Sequence, residues 1–146
     1  MATITKEIGE GFDNAILYDV LNNFNGMACD AVVTAGATHT STIATTIQLL
    51  DYNGDDLAEP ACVWAYLASD ADGLDMNATA LTTDMSIGSD GSIAIILANV
   101  AYLLTSEADG DIDISMGYTT GAKNFYLVVV LPTGKRVVSD VIAFTA

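Results

Sequence analysis

Asp111-Ile112-Asp113-Ile114-Ser115-Met116 alternates polar and apolar residues, and nothing else in the chain restricts its fold so tightly. Successive side chains of a β-strand leave on opposite faces, so a period of two specifies a strand with one face in a core and one in water. Thr120-Gly121 turns this segment into Lys123 to Leu131, and Pro132-Thr133-Gly134 turns that into Arg136 to Phe144. Glycine serves at such turns because it takes positive φ without a Cβ clash.

The same grammar runs backwards through the chain. Ile43, Thr45, Ile47 and Leu49 share one face of a strand, and Thr42, Ala44, Thr46 and Gln48 share the other. Asp51-Tyr52-Asn53-Gly54 ends it, and Ala61 to Leu67 follows, apolar on both faces as if between a core and a second covered surface. Asp72-Gly73, Asp90-Gly91 and Asp109-Gly110 punctuate the middle, where Asp70 to Ser92 reads as a strand flanked by long loops. Ile93 to Leu104 is the longest apolar run, interrupted by Asn99 and too short to span a bilayer. Counting turns gives about seven strands, which predicts an all-β, immunoglobulin-like sandwich.

Residues 1–11 read as a flexible arm. Phe12, Ile16, Leu17, Val20, Leu21 and Phe24 then recur at helical spacing, with Asp13 as N-cap and Gly26 just past the end, so a helix is expected over about Asn14 to Asn25. Residues 1–30 are expected to form a docking element whose interface is that apolar stripe, and residues 31–146 the sandwich.

Charge narrows the function. Nineteen acidic residues face four basic ones, for a net charge of −15. Lys6, Lys123, Lys135 and Arg136 cannot form a basic stripe, which argues against nucleic acid and against an anionic membrane surface. Yet 51% of the residues are hydrophobic and mean hydropathy is +0.42. So apolar a surface on a small acidic domain predicts cover by neighbours, either copies of the chain or other proteins. The first residues lack the apolar core of a secretory signal, and Cys29 and Cys62 are expected as buried free thiols.

Reactive chemistry is hard to assemble from this inventory. His39, the one histidine, lies in a polar stretch and reads as a loop residue; no G-x-S-x-G elbow presents a serine. Two scattered cysteines and one histidine do not make a zinc site. Oxygen ligands are denser. Asp70-x-Asp72-Gly73-x-Asp75 misses the EF-hand register, whereas Asp109, Asp111 and Asp113 are the candidate ligands for a structural Ca²⁺, with no other cofactor expected. Trp64 is expected in the core, and Tyr52 and Tyr118, at turns, on the surface.

The stretch Ile47 to Ala58, followed by Val63-Trp64-Ala65-Tyr66-Leu67-Ala68-Ser69-Asp70, resembles β-sandwich modules of tailed-phage virion proteins. Ala108 to Ile114, Asn124 to Val129 and Leu131-Pro132-Thr133-Gly134 resemble the closing strands of bacterial and phage immunoglobulin-like domains. The resemblance implies a non-enzymatic structural protein of the capsid decoration (cement), head fibre or small tail class. Such a protein would be made in the host cytoplasm, sit on the capsid exterior as a homo-oligomer and bind the major capsid protein or other virion proteins. The competing reading is an extracellular adhesin that recognises a receptor or glycans through Tyr52 and Tyr118; a small glycosidase is the third.

Overall fold

The computed structural model describes residues 26–76 and 80–146. The helix expected over Asn14 to Asn25, with Phe12, Ile16, Leu17, Val20, Leu21 and Phe24, lies outside the described residues, and every regular element within them is a strand.

Ten strands follow in order: β1 (Asp30–Ala35), β2 (Thr42–Leu50), β3 (Cys62–Ala68), β4 (Thr83–Ile87), β5 (Ser92–Leu97), β6 (Ala101–Thr105), β7 (Asp111–Gly117), β8 (Lys123–Val130), β9 (Arg136–Val138) and β10 (Ile142–Phe144). They form two antiparallel sheets packed face to face, the immunoglobulin-like sandwich that the turn count predicts. The smaller sheet has the order β1-β2-β7-β4; the larger runs β10-β8-β3-β6-β5, with β9 also on β8.

Two of the three strands beyond the expected seven have local causes. Ile93 to Leu104 is a hairpin, β5 and β6, and not one flat strand: Asn99 takes φ 63 and the chain reverses there. Asparagine tolerates that left-handed conformation better than other non-glycine residues. The final segment is broken too. Val138 faces Val128 and Ile142 faces Phe125, a one-residue shift, so β9 and β10 are two pieces of one edge strand along β8.

The core is built by alternation. Ile43, Thr45, Ile47 and Leu49 of β2 and Ile112, Ile114 and Met116 of β7 point inward from one sheet. Val63, Ala65, Leu67, Tyr102, Leu104, Phe125, Leu127 and Val129 meet them from the other. One end is closed by Tyr118, Phe125 and Phe144, whose ring centroids are 5.3–5.9 Å apart in tilted or edge-on contacts. Tyr118 is therefore buried, 7% exposed, and not the surface tyrosine expected from its place beside a turn. The opposing edge is tied by Tyr102: its hydroxyl donates to Asp84 (3.1 Å) and accepts the Met85 N–H (3.3 Å). Asp84 also takes the Asn99 N–H, joining β4 to the β5–β6 turn. Burial pushes the Tyr102 phenol up to about 12, and the adjacent Asp84 carboxylate adds to the rise.

Candidate functional site

The two outward faces of the sandwich differ in kind. On the smaller sheet Thr42, Ala44, Thr46 and Gln48 lie beside Asp111, Asp113 and Ser115, a solvated polar surface. On the larger sheet, residues directly opposite one another share a face. Its central row reads Ala94, Leu103, Trp64, Val130, Arg136 from β5 across to β9. Trp64 stands in the middle, 53% exposed. The expected core tryptophan is thus a surface residue, because period two assigns Val63, Ala65 and Leu67 to the core and leaves Cys62, Trp64 and Tyr66 facing out. The sequence signal was present: a strand apolar on both faces has a second surface to cover.

Part of that surface is covered by the chain itself. In the neighbouring row, Leu97, Ala101, Tyr66, Val128, Val138, the loop Ser69 to Met76 folds back over Tyr66, Val128 and Val138 and leaves Leu97 exposed. Gly73 is the keystone. It takes φ 65, and a Cβ there would lie 2.8 Å from methyl groups of both Val128 and Val138. Its carbonyl accepts the Tyr66 hydroxyl (2.6 Å) and an Arg136 guanidinium N–H (3.2 Å). Asp70 accepts the N–H groups of Leu74 and Asp75 (3.1 and 3.2 Å), and Ser69 donates to the Asp75 carboxylate (3.0 Å). These acids, spaced almost like a calcium loop, hold the flap's backbone.

The uncovered part runs from Trp64 over Leu103 to Ala94 and Leu97 on the edge strand β5, where Leu97 is 54% exposed; Ile95, opposite the buried Tyr102, lies on the other face of the sheet, 52% exposed at its rim. Cys62 joins it: its thiol is exposed, against expectation, with Sγ 3.3 Å from Thr105 Oγ1. Cys29 is half-buried, and both thiols are free.

The acidic residues gather elsewhere. Asp111 and Asp113 do share a face, as their spacing requires, and their carboxylates meet that of Asp90, with all ligand atoms within 4.8 Å. Asp109 is not in this group; its carboxylate accepts the Asp111 N–H (3.4 Å) and its carbonyl accepts the Gln48 side chain (2.8 Å). The Ser89 hydroxyl lies within hydrogen-bond reach of both Asp90 and Asp113 and can donate its one hydrogen to either. Partial burial, then repulsion from Asp113, Asp90 and Asp109, raises the Asp111 carboxyl above its ordinary value. Contributing one oxygen each, these three carboxylates would supply three of the roughly six to eight ligands that Ca²⁺ takes.

His39 lies in the connection between β1 and β2 and forms an isolated bridge to Phe144. Its Nδ1 accepts the N–H groups of Ser41 (3.2 Å) and Thr42 (3.3 Å), and its carbonyl accepts the Thr145 N–H (3.1 Å). Ser41 Oγ lies 3.4 Å from the same nitrogen, but no carboxylate holds the ring among the described residues. Tyr52 is exposed at its turn as expected; with Tyr118 buried, the two tyrosines do not form a joint sugar platform.

No family model and no curated protein matches the sequence. Among solved structures, the cohesin module of a Clostridium perfringens family 33 glycoside hydrolase superposes with a TM-score of 0.40 at 10% identity, covering 82% of this chain and 98% of that one. So loose a likeness carries no argument about what this chain binds.

Proposed function

We propose that this chain is a non-enzymatic β-sandwich module that works by protein–protein contact through the outer face of its larger sheet. Its setting in this reading is a tailed-phage virion, on the capsid exterior, as a decoration or accessory head protein bound to the major capsid protein or another virion protein. One observation carries the contact: Trp64, half in solvent, stands at the centre of an apolar face on a chain of net charge −15. Interface hot spots are enriched in tryptophan at the middle of such patches, while acidic surroundings oppose indiscriminate association. The virion setting is supported by the resemblance of Ile43 to Phe144 to phage sandwich modules. The absence of a carboxylate on His39 among the described residues favours a binding role over catalysis.

The test is co-sedimentation of purified protein with expanded heads of the phage whose genome carries this reading frame. Trp64→Glu should fold as the parent does, since half the side chain is already wet, and should bind at least about 30-fold more weakly, the roughly 2 kcal/mol of a hot-spot residue. Equal binding by parent and variant would remove the face from the interface; failure of the parent to bind would remove the virion setting.

A further inference from the structure

We infer that β5 is where a partner adds a strand, and that the occupant is an extended segment of another protein, apolar at alternate positions with Lys or Arg at both ends. This rests on the protein-contact reading above and specifies the edge and the chemistry.

β5 ends the larger sheet, and among the described residues nothing pairs with its far side. Leu67 and Ser106 bond to Val100 and Ala61, which fixes the even-numbered residues of β6 towards β3 and the odd-numbered ones towards β5. Ser92 and Ala94 therefore bond to Thr105 and Leu103, and the backbone N–H and C=O of Ile93 and Ile95 point away from the sheet. Exposed edges are ordinarily guarded by a charge, a proline or a covering element. From Gly91 to Ser106 there is neither a charged residue nor a proline, and the bulge at Ile96 comes after the two outward-facing residues. The edge continues across Leu103 to Trp64, so an added strand would extend the apolar face.

Charge selects the occupant. At the start of β5 stand Asp90, Asp111 and Asp113; at its end Asp84 accepts the Asn99 N–H. A second copy pairing β5 with β5, in either direction, would set carboxylates against carboxylates at both ends. The described cations, Lys123, Lys135 and Arg136, lie on β8, the turn after it and β9, across the sheet. That far edge is two three-residue pieces broken at Ser139, and Lys135 is held by Asp30 at 2.6 Å. Among its described residues a copy of the chain thus lacks a basic-ended strand of matching length, and a partner with one is complementary at both ends.

Hydrogen exchange of the full chain, read at single backbone amides, tests this with two synthetic probes, KKTVTVTKK and EETVTVTEE. The lysine peptide should slow exchange at Ile93 and Ile95, alter the fluorescence of Trp64 and bind about tenfold or more tighter than the glutamate peptide at low salt, the gap narrowing as salt screens it. Ile95→Pro should abolish the effect while leaving β6 paired, since that N–H is not used in the sheet. Should that variant not fold, Asp90→Lys should shrink the preference for the lysine peptide. Slow exchange at Ile93 and Ile95 in the dilute free chain would overturn the proposal in favour of cover by the chain itself. Protection that grows with protein concentration would overturn it in favour of a second copy. A Trp64 response without protection of β5 would overturn strand addition and leave the face reading standing; no response to either peptide overturns it as well.

Discussion

Thr45 points into the core from the middle of β2, between Ala35 of β1 and Ile114 of β7, with its hydroxyl unpartnered. A buried hydroxyl without a hydrogen bond costs free energy that a methyl in its place does not. Thr45→Val should therefore stabilise the fold by about 1 kcal/mol, seen as a higher urea midpoint at an unchanged slope. A lower midpoint would mean that the hydroxyl has a partner. At this scale the sequence was legible wherever one set of alternating residues was polar, as in Asp111 to Met116, because only one face could then enter the core. It was not legible in Cys62 to Ala68, where both sets are apolar and nothing local says which is inside. Trp64 and Tyr118 were misplaced for one reason: burial of a large aromatic is decided by which neighbours arrive, not by its own hydropathy.

Elements were readable from periodicity, while their ends depended on single polar groups. The last strand illustrates this, since Arg136 to Phe144 looks continuous yet is split where Ser139 enters. Ser139 N–H donates to the Leu127 carbonyl, its hydroxyl accepts the Leu127 N–H (2.9 Å) and donates to the Asp140 carbonyl (2.7 Å). The side chain replaces a backbone carbonyl, so β9 and β10 pair with the same strand in registers one residue apart. Ser139→Ala would strand the Leu127 N–H in the core and should cost about 1–3 kcal/mol, with faster amide exchange concentrated in β9 and β10. A uniform acceleration over both sheets would show instead that the two pieces do not open separately. The β5–β6 reversal at Asn99 escaped reading for a similar reason, being set by one residue's φ inside an apolar run.

Across the whole molecule the excess of acid makes stability depend on pH, and two carboxylates act in opposite directions. Asp111 has a folded value above that of the unfolded chain, near 3.8, so its stabilising share is complete below that value and disappears as pH rises through the folded one. At neutral pH the cluster with Asp113 and Asp90 is thus a liability. Asp30, hydrogen-bonded to Lys135, has a folded value below 3.8; its share is present above that value and is lost as pH falls through the folded one. Stability should therefore rise as pH is lowered from neutrality towards the ordinary carboxylate range, then fall once Asp30 takes its proton. Asp111→Asn should raise the urea midpoint at pH 7, by less than about 1 kcal/mol because solvent screens so open a cluster, and the gain should vanish as the parent's Asp111 is protonated. A gain that stayed constant down to pH 4 would place the cause in packing. The same experiment bears on binding. The repulsion that makes the triad a liability in the free chain is the field that a basic-ended strand on β5 would neutralise, so the variant that is more stable alone should hold the lysine peptide less tightly.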